Sequence, residues 1–131
     1  MTDALETTPQ DGRRVVVLIR DLFFSVKVRN ELSSAGFDPV IVKREPELLS
    51  SVESLAPALV LIDLTTRPDW DALAPLLNVS GGETRIPVLA FGPHKDLEAR
   101  RAAQSAGVTR VVTNQQLHRA LVDYVRRYAG E

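Results

Sequence analysis

Residues 58–63 read Ala58-Leu59-Val60-Leu61-Ile62-Asp63, an unbroken apolar run that ends on a carboxylate. A run this short, rich in branched side chains, reads as a strand buried on both faces, the condition of strands in a parallel sheet covered by helices on each side. Upstream, Val15-Val16-Val17-Leu18-Ile19 repeats the pattern. Ile86–Phe91, with Pro87 at the strand start, and the shorter Val40-Ile41-Val42 and Arg110-Val111-Val112 complete a set of five strands.

Helical spacing fills the gaps between them. Asp21 is placed to cap a helix over Leu22–Ala35, whose inward stripe is Phe24, Val28, Leu32 and Ala35, and Gly36 closes it. Pro46 suits a first helical turn, Leu48, Leu49, Val52, Leu55 and Ala56 follow at helical spacing, and Pro57 ends the element. Asp69–Asn78 has a helical pattern interrupted by Pro75, which predicts a short, kinked or restarted helix. Asn78–Glu83 reads as a flexible loop, Asp96–Ala106 as a helix stopped by Gly107, and Gln115–Tyr128 as a last helix facing inward with Leu117, Leu121, Tyr124 or Val125, and Tyr128. Strands alternating with helices imply a parallel sheet wound by right-handed crossovers.

Composition bounds the function. The chain has 131 residues, 44% hydrophobic and 25% charged, ordinary values for one globular domain. We place a flexible leader over residues 1–12 and one domain over 13–131. Without cysteine there is no disulfide scaffold, thiolate metal site or cysteine nucleophile. Sixteen basic and seventeen acidic side chains leave a formal charge of −1, which argues against a nucleic-acid partner. No apolar run reaches the roughly 18 residues of a membrane span. The start lacks a secretion signal, so a cytoplasmic location away from membranes is expected.

Ligands of such sheets sit beyond the carboxyl ends of the strands. The residues there are Arg20 and Asp21, Asp63 to Pro68, Gly92 to His94, and Thr113 to Gln115. Other motifs have plain readings. His94 has no companion ligand nearby, and His118 falls on a solvated face of the last helix. Ser80-Gly81-Gly82 lacks the lysine and spacing of a phosphate loop, and the Asn78-Val79-Ser80 sequon has no secretion signal to make it relevant. Arg100-Arg101 and Arg126-Arg127 suit solvated helix faces, the latter also the negative end of its helix.

The strand Leu59–Asp63, Pro68 five residues on, Asp71 three beyond that, Arg29-Asn30-Glu31-Leu32 before Ala35-Gly36-Phe37, Ile86-Pro87-Val88 and Ala106-Gly107-Val108 together resemble a response-regulator receiver domain, over roughly residues 13–128. The resemblance implies a five-stranded, doubly wound α/β fold of strand order 2-1-3-4-5. It also makes Asp63 the candidate phosphoacceptor, with Thr65 supplying a carbonyl to Mg²⁺. Most of the helpers it implies are missing. The acidic pair after the first strand falls on Ile19 and Arg20, with Asp21 one residue away; Gly92 replaces a hydroxyl residue, Asn114 a lysine, and Val111 an aromatic. Asp21 and Asp63 remain as weak metal candidates, and no cofactor is expected. Phosphoryl transfer depends on positioned charge, so the chain resembles a degenerate member, a pseudo-receiver.

The expected function is therefore non-catalytic: a stand-alone signalling module that binds a partner protein. Phe23 and Val26, off the inward stripe of the first helix, are the candidate partner-binding residues. Self-association as a homodimer through the fourth and fifth helices is a second route for output. The rival readings are a working response regulator phosphorylated on Asp63 by a histidine kinase, and a flavin- or nucleotide-binding domain of flavodoxin-like fold. Within the degenerate pocket we expect Arg20 to hold Asp63 as a permanent bidentate ion pair, replacing the metal and the lysine. The plain alternative is that Asp63 caps the next turn.

Overall fold

Side chains alternate along a strand, so a strand apolar at every position needs cover on both faces. The computed structural model, which describes residues 13–77 and 86–130, supplies that cover. Strands β1 (Arg14–Leu18), β2 (Asp38–Val42), β3 (Leu59–Asp63), β4 (Val88–Gly92) and β5 (Arg110–Thr113) alternate with helices α1 (Leu22–Ser34), α2 (Glu45–Leu55), α3 (Ala74–Leu77), α4 (Leu97–Ala106) and α5 (Asn114–Tyr128). All strand pairings are parallel, in the expected order β2-β1-β3-β4-β5.

Two apolar layers result. Val15, Val17, Leu59, Leu61, Leu89, Phe91 and Val112 face Phe24, Val28 and Leu32 of α1 and Leu117, Leu121 and Val125 of α5. Val16, Leu18, Val60, Ile62 and Val88 face the other way, onto Leu48 of α2 and onto Leu73, Leu76 and Leu77. A smaller cluster of Leu64, Ala90 and Ala103 lies under α4. The edge strand β2 tolerates Pro39 and is only partly buried.

The caps fall where the sequence places them, with two adjustments. Asp21 Oδ1 accepts the Phe24 N–H at 2.9 Å, and Gly36 and Gly107 take φ of +91° and +101° just beyond α1 and α4. α5 starts at Asn114, one residue earlier than expected, because Thr113 and Gln116 form a reciprocal capping box. The helix predicted over Asp69–Asn78 is the larger correction: among the described residues it is helical only over Ala74–Leu77. Asp69 Oδ1 accepts the Asp71 and Ala72 N–H groups at 3.1 and 3.2 Å, an Asx turn that competes with helix, and Pro75 removes a donor. The leader, the Ser80-Gly81-Gly82 loop and the Asn78 sequon lie outside the described residues.

Leu61 is fully buried between β1, β4 and the α1/α5 layer, whereas Phe23 is 86% exposed. Leu61→Ala should therefore cost about 2–5 kcal/mol in urea denaturation, and Phe23→Ala no more than about 0.5 kcal/mol.

Candidate functional site

Asp63 shares the face of Leu59 and Leu61, so its carboxylate emerges at the carboxyl edge of the sheet on the α1/α5 side. It is 3% exposed. A cavity of about 310 Å³ opens beside it, lined by Asp21, Phe23, Phe24, Asp63, Thr65, Asn114 and His118. Asp63 Oδ1 accepts two hydrogen bonds from Thr65, from the backbone N–H at 2.9 Å and from Oγ1 at 2.8 Å. Thr66 Oγ1 donates to the Asp63 carbonyl at 2.7 Å. These bonds cap a 3₁₀ turn over Leu64–Thr66, closed by Arg67 in the left-handed region with φ of +55°. Burial pushes the Asp63 pKa above the usual carboxylate value; the Thr65 hydrogen bonds pull it down, and the neighbouring charge of Asp21 pushes it up.

The expected Arg20–Asp63 ion pair is not formed. Leu18 pairs with Ile62, and the Ile19 N–H continues the ladder to the Val42 carbonyl at 3.0 Å. Ile19 therefore stands on the Asp63 face of the sheet and packs in the α1/α5 layer, while Arg20 turns to the opposite side. There its Nε donates to the Lys43 carbonyl at 2.9 Å. Among the described residues no lysine or arginine pairs with Asp63. The plain alternative holds: the carboxylate caps a turn.

Three other pocket positions reach the cavity and one does not. Asp21 lines it while capping α1, and Thr65 lines it while holding Asp63. Asn114 lines it from the first position of α5, and its Oδ1 is buried without a hydrogen-bond partner. Gly92 is excluded: a Cβ added there would lie 3.0 Å from Leu64 Cβ and 3.2 Å from Leu64 Cδ1. Leu64 has taken the space in which a side chain on β4 would stand.

Phe23 and Val26 are exposed, 86% and 42%, as the stripe predicts, and Leu22 at 68% extends their patch. His118 is exposed on the last helix, as expected, and makes one further contact. Although solvent reaches it, its ring stacks on Phe24 with centroids 4.0 Å apart and planes 12° from parallel, and Phe24 meets Phe91 edge-on at 5.5 Å. The signal was present: His118 lies four residues after Asn114, so the two share a helix face. His94 sits in the exposed turn before α4, outside the cavity.

A divalent cation of the kind the resemblance implies needs several oxygen ligands at once. Among the described residues only Asp21 and Asp63 carry carboxylates into the cavity, each with one oxygen already accepting a backbone N–H. Among the described residues no group of three His, Asp or Glu side chains is arranged to hold a metal. This donor set does not fit such a site.

No protein-family profile matches the chain, and no curated protein matches it by sequence. Solved structures match its fold. A candidate response regulator from Chloroflexus aurantiacus superposes with a TM-score of 0.76 at 15% identity, over 91% of this chain and 98% of that one. A response-regulator signal receiver domain from Bermanella marisrubri gives 0.74 at 16% identity, over 90% and 98%. A CheY-like protein, TadZ, from Pseudomonas aeruginosa gives 0.67 at 22% identity, over 88% and 98%. The chain has the fold of response-regulator receiver domains.

Because its pKa is raised in the folded state, Asp63 binds its proton more tightly folded than unfolded, and stability falls as pH rises above 3.8 through the folded value. Asp63→Asn keeps an acceptor for Thr65 and removes the buried charge. Its melting temperature at pH 7 should exceed the parent's, with the gap narrowing as pH is lowered toward 3.8. At the excluded position, Gly92→Ser should cost about 1–3 kcal/mol in denaturation. In a double-mutant cycle with Leu64→Gly, which removes both the Cβ at 3.0 Å and the Cδ1 at 3.2 Å, the two changes should couple favourably by about 1 kcal/mol.

Proposed function

We propose that this chain is a signalling module of receiver type that acts by binding a partner protein and lacks a working aspartyl-phosphorylation switch. One observation carries the reading: among the described residues, the carboxylate at the phosphoacceptor position has no positive charge beside it. Arg20 faces Lys43, Asn114 carries no charge, and the other charged carboxylate in the cavity is Asp21. A phosphoryl group moving onto Asp63 would bring more negative charge toward two carboxylates, with neither metal ligands nor a cation to stabilise it.

Output by contact is supported by the surface next to the cavity. Leu22, Phe23 and Val26 present exposed apolar area at the start of α1, while Phe24 and Val28 hold the helix to the core. Apolar side chains grouped this way on a surface otherwise rich in charge suit a protein interface. Among the described residues no helix is long and apolar enough to cross a membrane.

The test has two arms. Incubation with acetyl phosphate and Mg²⁺ should leave Asp63 unlabelled in intact-mass and peptide analysis. Rapid labelling that Asp63→Asn abolishes would overturn the reading. In affinity capture from native extract, Phe23→Asp should lose the proteins the parent retains, with a melting temperature close to the parent's and a stability change within about 1 kcal/mol. A Phe23→Asp chain that unfolds, or that captures the same proteins equally well, would also overturn it.

A further inference from the structure

The cavity at Asp63 is unbalanced in both charge and hydrogen bonding. Asp63 is 3% exposed, yet only its Oδ1 accepts hydrogen bonds from the described residues, both from Thr65. Among the described residues Asn114 Oδ1 is buried without a hydrogen-bond partner. Asp21 adds a further negative charge, and among the described residues no lysine or arginine lines the cavity. Carboxylates held together without a cation are costly to desolvate, so two of them on one opening mark a place where a positively charged donor binds.

The rest of the lining narrows the class of donor. Phe23 and the Phe24–His118 stack are aromatic, and the cavity holds about 310 Å³. A water molecule's share of liquid is roughly 30 Å³, so the space admits a group of several heavy atoms. Two carboxylates repel an anion. Aromatic walls and a sparse oxygen set suit an organic cation, which gains from ring faces as well as from carboxylates, better than a small divalent metal.

We propose that the cavity receives a lysine or arginine side chain of a partner protein docked on the exposed start of α1. The charged head meets Asp63 and Asp21, and the alkyl stem lies along Phe23. Exposed Leu22 and Val26 then contact apolar residues flanking that basic side chain. The inference rests on the partner-binding reading above and adds the chemistry of the residue the partner must present.

Methylguanidinium and n-butylammonium reproduce the two side-chain heads and are the probes to titrate into the intact chain, following backbone amide shifts by NMR. n-Butanol, MgCl₂ and NaCl at matched ionic strength are the comparisons. The organic cations should give saturable shifts at Phe24, Thr65 and Asn114 with millimolar affinity, weakened at least roughly tenfold in Asp63→Asn. Several results would overturn the inference: no saturable shift, equal binding to Asp63→Asn, the same shifts with n-butanol, or tighter saturable binding of Mg²⁺ at these residues. Partner capture that still depends on Phe23, in a chain whose cavity binds neither cation, removes the basic-side-chain inference alone. Cation binding with capture indifferent to Phe23→Asp removes the docking reading, and the inference with it.

Discussion

Burial of β3 on both faces is the constraint from which the rest follows. Every residue of Leu59–Asp63 is buried, and the side chains alternate between the α1/α5 layer and the α2/α3 layer. A strand in that position tolerates polarity only at its end, where the sheet stops and loops begin. Asp63 occupies that end. Its partners are then set by parity and not by proximity in the chain: whatever emerges on the α1/α5 side becomes its surroundings, and whatever emerges on the other side is lost to it.

That rule explains a pocket that looks incomplete from its carboxylate outward. Arg20 follows the strand that neighbours β3 and falls on the wrong side, so the guanidinium is spent on a backbone carbonyl of the β2–α2 connection. Asp21 returns to the Asp63 side and brings negative charge with it. On the far side, Leu64 turns back against β4 and fills the room at Gly92. Thr65 supplies the hydrogen bonds that keep a desolvated carboxylate tolerable, and they hold it as the cap of a turn.

Core packing and the exposed apolar patch meet at the start of α1. Phe24 anchors the helix through its edge-on contact with Phe91 and its stack with His118, and the residue before it projects into solvent. Adjacent helical residues point about 100° apart, which is why one phenylalanine belongs to the core and its neighbour to the surface. The same turn therefore fixes α1 to the sheet, forms one wall of the Asp63 cavity and carries the exposed apolar patch.

The sequence by itself determined the α/β class, the five strands, most helix ends and the surface position of Phe23. These rest on local patterns: apolar runs, 3.6-residue stripes, and Asp, Gly and Pro at caps and stops. It also placed Asp63 at a strand end. Tertiary structure decided who faces whom. The Arg20–Asp63 pair failed because strand register assigns Ile19 to the Asp63 face. His118 entered the site because α5 packs beside α1, and Gly92 was closed off by Leu64. The short α3 was decided by an Asx turn at Asp69 that competed successfully with a helical pattern. Local propensity is written in neighbouring residues, whereas the side of a sheet on which a loop residue emerges, and the side chain that meets it, depend on register and packing between distant segments.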